Sequence, residues 1–529
     1  MPEASSDPPP SARAIIRHMP AFEPVIGLEV HVELLTRTKM FCACPVVDPS
    51  GAESNRAVCE VCMGLPGTLP VLNQHAVELA LRVALALRCR VPADSRFARK
   101  NYFYPDLPKG FQISQYESPL ASGGVLSVPS GTLGAVPSGT LGAVPVESRE
   151  RSVRIRRVHL EEDTGKLVHR GQDSLVDYNR AGVPLLEIVS EPDLTSVDEA
   201  KAFAGELRSL LRTLGVTSGD MEKGAIRFEA NVSVRAPGRT ALGTRTEIKN
   251  LNSFRAMVRA VSYEIERQGR LLDAGREVEQ ETLGWDEARG ATVSQRGKED
   301  AHDYRYFPEP DLPPLHVDEA WIERIRRSLP ELPEARRRRL ERDFGLTPAR
   351  AAQLVEDPRV ADYFEQASAA APAVAPSRLA AWLTGELFAL LHAAGTPIEQ
   401  ARLSPLAFGE LVAMVEGDFL SPPTGKALLQ RLFQSGGRAS AIAEAEGLAQ
   451  VTDVASVDQV VQRVLRDNPD QVRQYRLGKK AVAQWLFGQV MRQAGGRAKP
   501  GIVQERLQAA LDTAPSETLG AVDQSRSGA

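Results

Sequence analysis

Apolar and polar positions alternate through Val25–Leu35, VIGLEVHVELL. A two-residue period puts Ile26, Leu28, Val30, Val32 and Leu34 on one face and Gly27, Glu29, His31 and Glu33 on the other. That pattern predicts a strand with one side on a core and the other presenting carboxylates and an imidazole in a row. Phe228–Val234, FEANVSV, repeats it, with Phe228, Ala230, Val232 and Val234 inward against Glu229, Asn231 and Ser233. In Ile155–Asp163, IRRVHLEED, one face takes Arg157, His159, Glu161 and Asp163, and Thr164–Gly165–Lys166 turns the chain. Pro184–Ser190, PLLEIVS, carries Glu187 inside an apolar run, and Thr246–Asn250, TEIKN, sets Glu247 and Lys249 on the same side of Ile248. His75–Arg88 reads as an apolar helix with Cys89 in the core behind it. After Pro314 the pattern becomes helical, and Leu403–Leu511 forms a last helical segment.

A carboxylate inside an apolar strand costs several kcal/mol unless it is paired or bound to metal. Surface ion pairs account for any one of these acids; five such strands together point to an oxygen-rich site of the kind that suits magnesium and, through it, substrate phosphates. His31 is an uncommon magnesium ligand and equally suits manganese, a bridging water or acid–base work.

Phe97–Tyr116, FARKNYFYPDLPKGFQISQY, interleaves Arg99, Lys100 and Lys109 with Tyr102, Phe103, Tyr104, Phe111 and Tyr116. Such a segment stacks on a nucleotide or a tRNA end and holds its phosphates, or else packs as a twisted hairpin. Arg296, Lys298, His302, Asp303, Tyr304 and Arg305 suit a phosphate-binding or closing loop, or a polar domain edge. Cys42-x-Cys44 and Cys59-x-x-Cys62, separated by a turn-rich loop, have the spacing of a closed structural zinc site. Val128–Ala143 is a tandem VPSGTLGA duplication, expected to be an extended loop without chemistry.

Composition narrows the class. The 529 residues exceed one core, and 43% hydrophobic with 25% charged residues is the balance of a soluble globular protein with no membrane-length apolar run. A net charge of −4 excludes a uniformly basic nucleic-acid binder but not a basic patch. Gln471–Leu511 is one: Arg473, Arg476, Lys479, Lys480, Arg492, Arg497, Lys499 and Arg506 stand against the single acid Glu505, with Trp485, Phe487 and Met491 as the expected apolar face. That is the pattern of an RNA grip. The first 22 residues carry no signal-peptide pattern and read, like residues 512–529, as disordered extensions of a cytoplasmic protein.

Together IGLEVHVEL, CMGLPGTLPVLN, RKNYFYPDLPKGFQISQY, HLEEDTGK, DYNRAGVPLLEIVSEPDL, EANVSVR, GTRTEIKNLNSFR, AHDYRYFPEPDLPPL and NPDQVRQYRLGKKAVAQWLFGQVM resemble the B subunits of the tRNA-dependent amidotransferases, the GatB family, from Val25 to about Leu511. The resemblance implies a multidomain α+β protein. An N-terminal mixed α/β cradle with a large, mainly antiparallel sheet is expected over 23–315, with a loop insertion at 128–145. A helical domain is expected over 316–402 and an all-α tRNA-binding tail over 403–511.

It further implies ATP-dependent phosphorylation of the side-chain carboxylate of misacylated Glu-tRNA(Gln) or Asp-tRNA(Asn), followed by displacement of phosphate by ammonia. Carried onto this chain, the acting groups are Glu29, His31, Glu161, Glu162, Glu187, Glu229 and Glu247, with magnesium on Glu29, His31, Glu161 and Glu162. Lys100, Tyr102, Tyr104, Lys109, Asn231, Lys249 and Arg305 are the expected nucleotide-binding set, and Cys42, Cys44, Cys59 and Cys62 the structural zinc site. Thr164 and the VSQRGK stretch depart from the family pattern. The chain has no amidase Ser-Ser-Lys constellation, so ammonia is expected from a separate amidase (glutaminase) subunit, joined by a small third subunit in a heterotrimer. The alternative is a zinc-stiffened, non-catalytic tRNA-binding scaffold.

Overall fold

The computed structural model describes residues 22–48, 51–130, 149–297, 304–449, 453–495 and 498–513. The disordered ends expected at 1–22 and 512–529 lie outside these residues, except for Phe22, Asp512 and Thr513, as does most of the duplicated loop.

Eight strands form the main sheet: β1 (Glu23–Glu33), β2 (Ala121–Ser130), β3 (Arg149–Glu162), β4 (Pro184–Ser190), β5 (Ile226–Arg235), β6 (Thr246–Leu251), β7 (Glu281–Asp286) and β8 (Ala291–Gly297). Their order is β8-β7-β6-β5-β1-β4-β3-β2, antiparallel at every step except β6–β7. The expected large, mainly antiparallel sheet is thus present, with the first strand at its centre. Val128 to Ser130, expected to begin the loop insertion, instead extend β2, and Val128 is fully buried. Pro129 falls on an edge strand, the place in a sheet where proline is tolerated.

One sheet face packs on helices α1 (Gln74–Ala86), α2 (Val197–Thr213) and α3 (Phe254–Asp273). Each begins where a side chain accepts an otherwise orphaned amide: Asn73 for α1, Ser196 for α2 and Ser253 for α3. Ile26, Leu28, Val30, Val32, Phe228, Ala230 and Val232 point into this core, as alternation predicts. The helix Glu319–Arg327, expected in the helical domain, buries Ile322 and Ile325 in this same core.

The chain divides into two compact units, one running through Arg336 and the other from Arg337 onward, with Glu356–Pro358 belonging to the first. The second unit is helical and holds two cores. One runs from Leu340 to Ala443, the other from Val457 to Leu511. The division expected at 402/403 therefore cuts through a single core, since Ile398 and Leu403 lie in the same cluster. Among the described residues no helix is long and apolar enough to cross a membrane.

Candidate active site and metal centre

The sheet face opposite the helices carries the acids. Register places His31 across from Glu187, Glu187 across from His159, and Glu29 across from Glu229. His31 Nε2 lies 3.5 Å from both Glu161 Oε1 and Glu187 Oε2, and His159 Nε2 lies 3.2 Å from Glu187 Oε2 and 3.9 Å from Glu161 Oε2. Two imidazoles thus bracket two carboxylates. Ser114 Oγ donates to Glu161 at 3.2 Å. Burial works against the charge of Glu187, but His159 and His31 hold its carboxyl well below the ordinary value. Burial likewise opposes the His31 imidazolium, yet the hydrogen bond and charge of Glu187, with Glu161 and Glu229, raise it to about 9.

A second cluster, Glu29, Glu229 and Glu247, lies beside the first. Asn231 Nδ2 donates to Glu29 Oε1 at 2.8 Å, and Thr282 Oγ1 to Glu247 Oε2 at 2.9 Å. Lys249 Nζ sits 3.0 Å from Glu229 and 3.2 Å from Glu247. A register shift lets Lys249 and Asn250 together oppose Glu229, and Asn250 adopts φ +65°, a left-handed conformation Asn tolerates. This bulge aims Lys249 at the acids. Burial raises the Glu29 carboxyl, reinforced by Glu187, Glu229 and Glu247.

The four residues expected to hold magnesium fall into separate groups. His31 and Glu161 meet with Glu187, while Glu29 joins Glu229 and Glu247. Glu162 follows Glu161 on the strand and so points the other way. Its carboxylate pairs with Lys109 and accepts the Ile113 amide at 2.9 Å. Lys109 is therefore also off the acidic face. A Cβ on Gly64, at φ +69°, would come within 2.5 Å of the Lys109 stem, so glycine is required there.

The remaining expected nucleotide-binding residues separate as well. Lys100 Nζ lies 5.0 Å from the centre of the Tyr304 ring and 5.9 Å from that of Tyr102. Burial would lower its ammonium, but Glu161 and the phenols of Tyr306 and Tyr102 outweigh that and raise it. Tyr306 stacks on Tyr116 at 4.2 Å, and Arg157 lies over Tyr116. Tyr104 is exposed, and the Arg305 carbonyl accepts from Asn101 Nδ2 at 2.9 Å. Lys298, His302, Asp303 and Arg497 lie outside the described residues. His159 and Tyr306 were not among the expected site residues. The signal for His159 was its place on the Glu161 face of IRRVHLEED, and for Tyr306 the alternation of Tyr304 and Tyr306 in DYRYF.

The sulfurs of Cys42, Cys44, Cys59 and Cys62 lie within 4.8 Å of one another. The Cys59 amide donates to Cys62 Sγ at 3.2 Å. The hydrogen bond from Cys42 pulls the Cys62 thiol down to about 4, with the Cys59 amide and Lys39 adding to it, while burial pushes Cys44 up to about 11. Four converging sulfurs fit a tetrahedral zinc. A cavity of about 190 Å³ runs from Cys42 and Cys62 to the Lys109–Glu162 pair.

In the helical tail Arg473, Arg476, Lys479, Lys480 and Arg492 are exposed, and Lys480 lies 3.9 Å above the Tyr475 ring. Lys499 is tied to Asp418 and Arg506 to Asp458. The apolar face is made by Leu486 and Val490, with Phe487 and Met491 at its margin; Trp485, expected there, turns outward and is 44% exposed.

Comparison with known proteins matches residues 24–323 to the GatB/GatE catalytic domain and 362–511 to the GatB domain. Three relatives are named as B subunits of aspartyl/glutamyl-tRNA(Asn/Gln) amidotransferase. That of Moorella thermoacetica is 48% identical over 93% of this chain and 100% of its own length. That of Thermomicrobium roseum is 49% identical over 93% and 99%. That of Myxococcus xanthus is 46% identical over 93% and 98%.

Proposed function

The chain belongs to the GatB family of amidotransferase B subunits, and from that membership we propose that it is the catalytic, ATP-dependent part of a ligase for charged tRNA. Its substrates are Glu-tRNA(Gln), Asp-tRNA(Asn) or both. The observation that carries this reading is the convergence of Glu29, His31, Glu161, Glu187, Glu229 and Glu247 on one sheet face. A non-catalytic scaffold has no use for acids buried at such cost.

A side-chain carboxylate is a poor electrophile. Its oxygen attacks the γ-phosphorus of ATP, ADP departs, and the resulting acyl phosphate is open to ammonia, which forms the amide bond as phosphate leaves and a proton is lost. A divalent cation would be held by Glu161 and Glu187, with His31 joining them once the cation displaces its Nε2 proton, and would neutralise charge on the phosphate oxygens. His159 orients the carboxylates of Glu187 and Glu161 from behind. Lys249 and Lys100 present ammonium groups to anionic oxygens, and the ring faces of Tyr102, Tyr304 and Tyr306 offer a stacking wall for a base.

Ammonia arises from glutamine on a separate amidase (glutaminase) subunit, and a third, small one makes the assembly a cytoplasmic heterotrimer. The four cysteines hold a structural zinc. Residues 23–315, extended to take in the helix Glu319–Arg327, form the catalytic domain, and the exposed bases of the terminal helices hold tRNA.

The test is amidation by the complex of this chain with its partner subunits, given ATP, magnesium and ammonium chloride in place of glutamine, with Glu-tRNA(Gln) and Asp-tRNA(Asn) in turn. Wild type forms the amide, and Glu29→Gln loses it while glutamine hydrolysis and tRNA binding persist. Equal conversion by both makes Glu29 structural. No conversion of either tRNA despite tight binding favours the scaffold.

A further inference from the structure

Lys39 is fully buried. Its Nζ lies 3.7 Å from Cys62 Sγ and donates to the Tyr178 carbonyl at 3.2 Å. Among the described residues no carboxylate lies within ion-pair distance of it; Glu162, across the same cavity, is taken by Lys109. A buried ammonium without an anion costs several kcal/mol, and one carbonyl dipole does not offset that. Among the described residues the nearest anion-forming atom is the Cys62 sulfur.

The surroundings hold Lys39 in place. Its amide donates to the Cys44 carbonyl at 2.9 Å, across the Cys42–Cys44 loop. Its carbonyl accepts from Asn73 Nδ2 at 3.2 Å, the side chain that also caps α1. Gly182 lies beside the stem: a Cβ there would lie 3.4 Å from Lys39 Cδ, 3.6 Å from Cys62 Cβ and 3.8 Å from Glu162 Oε2.

A zinc ion with four thiolates has a net charge of two minus, itself costly to bury. Each offsets part of the other's cost when the two lie in contact. We propose that Lys39 is the built-in countercharge of the four-cysteine centre, a positioning residue that orients Cys62 toward the metal, slows zinc loss and blunts the reactivity of the sulfurs. This rests on the reading that the cysteines hold zinc.

The test uses the full chain, zinc-loaded, as wild type, Lys39→Met and Lys39→Gln. Zinc content is measured first, then release into excess chelator, then the sulfur-to-metal charge-transfer band of the cobalt-substituted protein, with far-ultraviolet circular dichroism as the folding control. Wild type is expected to hold one zinc. Both variants should fold and release it about 10-fold faster, the loss typical of removing a partner behind a metal ligand. The cobalt band should move to longer wavelength, because sulfur lone pairs rise in energy without the adjacent cation. A merely structural lysine would leave that band in place. Lys39→Gln keeps a donor but no charge, so it decides the question even if Lys39→Met fails to fold. Wild-type release with an unmoved band overturns the role of Lys39 and leaves the zinc reading standing. A wild type that takes up no zinc overturns both.

Discussion

Glu33 ends the polar face of β1 among three charged neighbours. Burial raises its carboxyl, Asp163 adds to that, and Arg227 and Arg180 only partly offset it, leaving it at about 7. Arg227 is committed elsewhere, to Asp163 at 2.9 Å. A carboxyl raised in the folded state stabilises the fold only while protonated, so stability falls as pH climbs from the unfolded value through about 7. In magnesium-free buffer, Glu33→Gln should therefore raise the thermal midpoint at pH 8, by about 1–3 kcal/mol of stability, and leave it nearly unchanged at pH 5. Equal melting at pH 8 would mean the strain is relieved by water.

Lys249 offers a second case. Lys249→Met leaves Glu229 and Glu247 facing each other and should lower amidation by about 100-fold or more at unchanged tRNA affinity. A loss confined to KM for tRNA would move Lys249 to substrate binding. At this scale alternation made the faces of β1, β3 and β5 legible. It did not show how the acids group, because neighbours such as Glu161 and Glu162 read as one motif although the pleat sends them to opposite sides.

Elements bring in partners that the local pattern hides. Glu264 on α3 is fully buried, accepting from Thr246 Oγ1 at 2.9 Å, from Gln268 Nε2 at 2.8 Å and from both arms of Arg267. It also accepts from Thr292 Oγ1, so one helix carboxylate ties β6 to β8. Glu264→Ala should destabilise the first unit by about 1–3 kcal/mol, measured by denaturant titration, because it takes a buried acceptor from Thr246, Gln268 and Thr292, while Arg267 keeps Glu281 at 3.3 Å. A cost below about 1 kcal/mol would mean water replaces the carboxylate. Nothing in the polar stretch EIERQGR distinguishes Glu264 and Gln268 from surface residues, since burial there is decided by which strands α3 covers. The bulge at Lys249–Asn250 is equally silent in sequence, yet it sets the aim of Lys249. Asn250→Gly should keep activity, whereas Asn250→Val forces a β-branched residue into φ > 0 and should cost activity and about 1–3 kcal/mol of stability.

For the whole molecule, composition foretold more than one core but not where each ends. Helix Glu319–Arg327 belongs with the sheet, and the helices on either side of residue 402 share a core, because helical periodicity gives a buried stripe without naming the surface that covers it. The tail shows the same limit. Its basic residues were legible, while the outward turn of Trp485 depends on which of two adjacent apolar residues meets the third core. Lys479→Ala with Lys480→Ala should weaken tRNA binding and flatten its salt dependence, lowering the slope of log K against log salt by about 1–2. An unchanged slope would move the RNA contact off these helices.

The place of β1 at the centre of the sheet also constrains how the chain comes off the ribosome. This strand is made roughly 200 residues ahead of β5, yet Glu29 pairs with Val189 on one side and Glu229 on the other. At about 5–20 residues per second, its two apolar-and-acidic faces wait on the order of 10–40 seconds for the β5 partner. Throughout that interval the segment bearing Glu29 and His31 has both edges open to any other strand nearby. The arrangement that brings distant acids together in the finished protein thus makes the nascent one a client for chaperones, and its yield when overexpressed should track chaperone supply.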